Sequence, residues 1–220
     1  MKRPYVNFSK YLICLSLCYL ACQTKTEQQT TSIIVEDSLE KTAKPTTDSH
    51  VAVFSKILRL QGIEYDVHAF GEGSLQTLRI ITIGLTNGVD TIQQMTDPIV
   101  GAEVEDLDRD GFPELLVYTQ SAGSGSYGTV LGYSPNKGKS ISPIAFPELV
   151  EGSKEQKGYM GHDTFSIVAS SLARRFPCYE TNDVNATPTG KMRQLQYKLI
   201  NGEASKQFVL VGFKDYAMPQ

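Results

Sequence analysis

The chain has 220 residues, and its 21 Lys and Arg against 24 Asp and Glu give a formal net charge of -3 at pH 7. With no basic block or stripe, the charge pattern argues against nucleic acid as a partner. Hydrophobic residues make up 40% of the chain, enough for one real core, so a wholly disordered protein is excluded and a targeting segment plus one ordinary domain fits the length.

The N-terminus reads as an export signal rather than as structure. Lys2, Arg3 and Lys10 form a positive segment ahead of a short apolar run over residues 11–21. That run is shorter than the roughly 20 residues needed to span a bilayer. It ends in Tyr19-Leu20-Ala21-Cys22, close to a bacterial lipobox, with Tyr19 where Leu is usual. Residues 1–21 are therefore predicted to be a lipoprotein-type signal peptide and Cys22 its lipidated cysteine. The protein is then expected to be exported and anchored in the periplasm, or at the outer membrane or cell surface. Acyl chains on Cys22 would hold it on a membrane, each buried CH₂ adding ~0.8 kcal/mol. Cys14 and Cys18 fall inside the signal, so Cys178 is left alone in the body of the protein with no intrachain disulfide to form. It reads as a small buried apolar residue.

Residues 22–49 are rich in Thr, Gln, Ser, Lys and Glu, which is the composition of a polar flexible tether. From residue 50 to 220 short apolar stretches alternate with turn signals: Asn87-Gly88, Asp110-Gly111, Asn136-Lys137-Gly138 and Asn201-Gly202. Residues 78–85, 114–119 and 128–133 have strand length and composition. Near the C-terminus, Leu195, Tyr197 and Leu199 interleave with Gln194, Gln196 and Lys198, one buried and one wet face of a strand that turns at Asn201-Gly202 into a hairpin. Helical periodicity is weak, with residues 51–60 and 147–156 the only stretches suited to a short helix. The expected fold is all-β: an antiparallel β-sandwich or barrel without internal repeats.

Two neighbouring motifs stand out. Asp106-Leu107-Asp108-Arg109-Asp110-Gly111-Phe112-Pro113-Glu114 places three carboxylates at alternate positions, then a glycine and a fourth carboxylate. Asp106, Asp108, Asp110 and Glu114 can wrap a hard cation such as a structural calcium ion. Val117 stands where an EF-hand needs its bidentate Glu, so this is not an EF-hand. A tight turn in which the Asp side chains bond their own backbone is the other reading. No cofactor is required by either.

The second motif is Ser121-Ala122-Gly123-Ser124-Gly125-Ser126-Tyr127-Gly128. Its glycines spell a dinucleotide fingerprint, but that motif needs a helix after it and a strand follows here. Gly-x-Ser-x-Gly spacing is absent, and His50, His68 and His162 show no partner pattern for catalysis. What remains is a small-residue connection with one aromatic near its tip, either a plain hairpin loop or a recognition loop. Tyr offers large contact area at low entropy cost, and Ser and Gly allow close approach.

Taken together, the acidic turn and the Ser-Gly-Ser-Tyr loop resemble the periplasmic inhibitors of invertebrate-type lysozyme. The likeness continues through Gly158-Tyr159-Met160-Gly161-His162-Asp163, Arg174-Arg175-Phe176-Pro177, Pro188-Thr189-Gly190 and Arg193-Gln194-Leu195-Gln196-Tyr197, covering roughly residues 55 to 213. It implies an all-β, non-enzymatic domain whose loop enters the active-site cleft of lysozyme, with Ser124 and Tyr127 inserting and Gly125 and Ser126 shaping the tip. It also makes a homodimer plausible. A lipobox and tether depart from the ordinary periplasmic signal of that family, which bears on location and not on the loop. A calcium-dependent surface module binding glycan or protein is the competing reading. Tyr159, His162, Arg174 and Arg175 have two readings, packing or fold-stabilising polar residues first and a second contact loop as the alternative.

Overall fold

In the computed structural model, residues 51–184 and 187–218 are described; the predicted signal peptide, Cys22 and the tether lie outside them. These residues form twelve strands and no helix, so the all-β antiparallel expectation holds. The strands make three four-stranded sheets, each a simple meander. The first contains β1 (Phe54–Leu60), β2 (Ile63–Phe70), β3 (Gln76–Leu85) and β4 (Gly88–Thr96). The second contains β5 (Ile99–Glu105), β6 (Glu114–Gln120), β7 (Gly128–Pro135) and β8 (Ile141–Ile144). The third contains β9 (Thr164–Ile167), β10 (Leu172–Pro177), β11 (Met192–Asn201) and β12 (Lys206–Tyr216).

The second sheet lies between two cores. Side chains on a strand alternate between faces. Accordingly Leu115 and Val117 of β6 join Tyr65, Val67, Leu78 and Ile80 of the first sheet. Leu116 and Tyr118 point the other way, into a second core with Leu172, Phe176, Leu195 and Tyr197 of the third sheet. The centre of β6, Leu115 to Tyr118, therefore reads as a continuous apolar run, the mark of a strand buried on both faces. Polar bonds reinforce the stacking. Glu103 on β5 accepts hydrogen bonds from Tyr118 of β6 and from the Ile167 amide of β9. The fully buried Tyr65 of the first sheet donates to the Pro113 carbonyl at 2.7 Å, holding the segment before β6.

Both helical stretches proved otherwise. Residues 54–60 pair with β2, and the even positions Phe54, Lys56 and Leu58 face inward: the two apolar side chains pack on the first core and the Lys56 ammonium reaches the Ala102 carbonyl at 2.7 Å. Their spacing of four suited a helix and a strand equally. Residues 147–150 carry no regular structure, and turns follow at 151–152 and 154–156. Nearby carbonyls of Lys154, Glu155 and Lys157 all accept from Nη1 of Arg193, which ties this segment to β11. Cys178 is free and buried against the second core.

Candidate functional site

Strand β6 leaves the layered core and β7 re-enters it, so residues 121–127 form a loop whose ends are fixed by the register Gln120 opposite Gly128. Its neck is closed by the Ser121 amide donating to the Tyr127 carbonyl at 2.8 Å and the Tyr127 amide donating to Ser121 Oγ at 2.9 Å. Inside, the Ser126 amide bonds the Gly123 carbonyl at 2.9 Å, and Ser126 sits at φ 44, in the left-handed region that disfavours a side chain. The Gln120 side-chain amide supports the Ser126 carbonyl from below.

The four loop residues differ in what they show to solvent. Ser124 is exposed, Gly125 buried and Ser126 half-buried, while Tyr127 leaves 51% of its surface open. The Tyr127 ring folds over Gly125, where an added Cβ would lie 2.4 Å from ring carbon Cε2. Its other neighbour is Tyr159, met edge-on at 5.7 Å between ring centres. The structure thus brings Ser124, Gly125, Ser126 and Tyr127 together on one tip with a defined backbone.

A second loop, residues 158–163, lies against the first. The His162 amide donates to the Gly125 carbonyl at 2.7 Å, with His162 at φ 57. Gly161 passes so close that a Cβ there would stand 1.9 Å from the same carbonyl. Next in the chain, the buried Asp163 accepts from the Gly128 amide at 2.9 Å and from the Tyr159 hydroxyl at 2.6 Å through Oδ2. Its Oδ1 accepts from Arg174 Nε at 2.7 Å, and Arg174 Nη2 returns to the Tyr159 hydroxyl at 2.7 Å. Burial alone would lower the pKa of Arg174, but the hydrogen bond to Asp163, the charge of Asp163 and the nearby Tyr159 and Tyr197 together outweigh it and raise the pKa. Tyr159 is raised by burial first and by its bond to Asp163 next, so its phenol stays protonated. Arg174 also lies over the Tyr159 ring at 4.9 Å. Tyr159 and Arg174 are thus polar residues that support the fold, and they do so directly under the exposed loop. Arg175 bonds Gln194 and Ser166 on the neighbouring strands. Beside Tyr127 and Tyr159, a groove of about 400 Å³ runs past Thr129, Phe146 and Glu148, with Arg174 at its floor.

The acidic turn stands apart from this loop. Asp106 accepts from the amides of Asp110 and Gly111, and Asp110 from that of Phe112, so both side chains bond their own backbone. Gln61 in the β1–β2 turn adds a bond to Asp106 at 2.9 Å. Asp106, Asp108 and Glu114 offer oxygens close enough to share an ion. A cation is already supplied by the chain: Lys206 Nζ lies 2.7 Å from Asp108, 2.8 Å from Asp110 and 2.8 Å from Glu114. Burial would lower the Lys206 pKa, yet the hydrogen bonds to these three carboxylates raise it. Glu114, fully buried, is pushed up by desolvation against the lowering effect of Lys206 and the Leu107 amide.

No family model, curated protein or solved structure matches this chain. Sequence reasoning placed Ser124 to Tyr127 on one loop but missed Asp163 as its support and Lys206 as the cation of the acidic turn. Asp163 lies 35 residues from Gly128, and Lys206 lies 92 residues from Glu114. No local spacing links either pair.

Proposed function

We propose that this protein is a non-enzymatic inhibitor of lysozyme, most directly the invertebrate type, that plugs the enzyme's active-site cleft with the loop carrying Ser124 and Tyr127. The carrying observation is the combination of an exposed Ser124 and a half-exposed Tyr127 with a backbone held by hydrogen bonds on both sides. A glycosidase cleft presents two carboxyl groups flanking the scissile bond. A serine hydroxyl and a tyrosine phenol can each donate a hydrogen bond to such groups, while the ring occupies space a sugar would fill. Gly125 and Ser126 keep the tip narrow. Water and glycan are excluded and no bond is made or broken. With a lipidated Cys22 and the tether at residues 22–49, the inhibitor would guard peptidoglycan from a membrane surface in the periplasm or at the cell exterior.

The test is lysis of cell walls by invertebrate-type, chicken-type and goose-type lysozymes, each titrated with the purified protein. Stoichiometric inhibition of the invertebrate-type enzyme supports the reading, and Ser124→Ala and Tyr127→Ala should then lose inhibition with an unchanged circular dichroism spectrum. Inhibition of none of the three enzymes, or parent-like inhibition by both variants, removes it. The calcium-dependent binding module gains less support, because the Lys206 ammonium already bonds three of the four carboxylates it would use.

A further inference from the structure

The exposed loop is held at two backbone points by one neighbouring segment. The Gly125 carbonyl receives the His162 amide, and the Gly128 amide reaches Asp163 Oδ2. Ser126 and Tyr127 lie between these points. The Asp163 side chain is fully buried and shares its two oxygens among three donors, of which the Tyr159 hydroxyl and the Arg174 guanidinium also bond each other. A buried carboxylate in a closed ring of charge-assisted bonds has little freedom to move, because losing any one partner leaves a desolvated charge short of a donor. There is no slack in the packing either. An added Cβ on Gly128 would come within 2.8 Å of the Asp163 Cβ, and one on Gly161 within 1.9 Å of the Gly125 carbonyl.

We propose that Asp163, fixed by Arg174 and Tyr159, is a positioning residue that locks the Ser124–Tyr127 tip in its binding geometry before any partner arrives. This rests on the reading of that tip as the inhibitory element. The physical gain is preorganisation. Ordering the backbone costs conformational entropy, and here that cost falls on folding rather than on association. Without the clamp the competent conformer becomes one of several, and apparent affinity drops by the fraction lost.

Two variants of the full chain test the clamp. Tyr159→Phe removes one hydroxyl while keeping the ring against Tyr127 and Phe176, and Asp163→Asn removes the charge while keeping the shape. In both, hydrogen exchange at the amides of Gly128 and His162 should quicken about tenfold or more, while amides inside β3 and β6 keep parent rates. The inhibition constant against the lysozyme that the parent blocks should rise by about tenfold or more with it. Ile80→Val, a mild loss in the first core remote from the clamp, should lower the melting point without changing inhibition. Folded variants with parent-like exchange at Gly128 and His162 overturn the proposal, as does faster exchange with unaltered inhibition. If Asp163→Asn does not fold, Tyr159→Phe decides. Should the parent inhibit no lysozyme, the functional reading fails, whereas the exchange rates still establish whether Asp163 holds the loop.

Discussion

Tyr127 combines an edge contact with Tyr159 and half of its surface open to solvent. A half-exposed aromatic is the kind of residue that dominates binding energy. Gly125 controls where the ring rests. A methyl group at this position would meet the far edge of the ring at 2.4 Å, and the ring can swing away where a backbone atom could not. Gly125→Ala is therefore expected to leave stability within about 0.5 kcal/mol and to weaken inhibition by about tenfold. Thermal unfolding and an inhibition titration read the two effects separately; undiminished inhibition would mean that the ring's resting place does not matter. Cys178 carries a residue-scale prediction of another kind. Burial pushes its thiol pKa up, so a thiol reagent at neutral pH should label it slowly in the native state and rapidly after unfolding. Rapid labelling of the native protein would place the thiol at the surface.

At the scale of elements, the acidic turn and β12 form one unit through Lys206. Removing the ammonium leaves Asp108, Asp110 and the buried Glu114 in mutual repulsion. Lys206→Met should cost about 2–4 kcal/mol, the lower part of the range because Asp110 is partly exposed to water. Chemical denaturation measures it; a loss under about 0.5 kcal/mol would show that the pairings contribute little. The same geometry bears on calcium. With the ammonium in place, the melting point of the parent is expected to be the same in chelator and in millimolar calcium. A rise of several degrees with calcium would mean that the ion displaces Lys206. Much of this element was legible from the sequence: the Asp-rich turn, its glycine and the strand after it are local features, and Asp106 and Asp110 do bond their own backbone. The cation was not, because a lysine near the C-terminus carries no mark of the turn it will enter.

For the whole molecule, cohesion depends on the middle sheet. Leu115 and Leu116 are adjacent in sequence and fully buried in different cores. Leu115→Ala and Leu116→Ala should each destabilise by about 2–5 kcal/mol. Both should still unfold in a single transition, since each layer loses its covering surface when the middle sheet opens. Two separable transitions would show that the first and third sheets fold independently. Acid stability is set partly at the edge of the third sheet. Arg193 grips Asp215 with Nε and Nη2, and that hydrogen bonding holds the Asp215 carboxyl below its usual range. A lowered folded-state pKa contributes stability that is complete above the ordinary Asp value of about 3.9 and is lost as pH falls through the folded value. Asp215→Asn should therefore flatten the acid limb of a stability-against-pH curve and leave its slope near neutrality unchanged. An acid limb identical to the parent's would assign acid unfolding to other carboxylates.

The sequence by itself determined the all-β class, because period-two alternation in residues 194–199 and the Asn-Gly and Asp-Gly turn signals are properties of neighbouring residues. It likewise determined that Ser124 to Tyr127 form one connection between strands. It could not separate strand from helix at Phe54 and Leu58, whose spacing of four satisfies both until β2 supplies a partner. Only the tertiary structure decided that three sheets stack around two cores, that Lys206 sits among the carboxylates, and that Asp163 supports the Tyr127 loop. Each of those depends on side chains tens of residues apart meeting in a buried place. There, desolvation makes a charge costly when alone and strongly bound when paired, and no pattern along the chain records which distant partner will arrive.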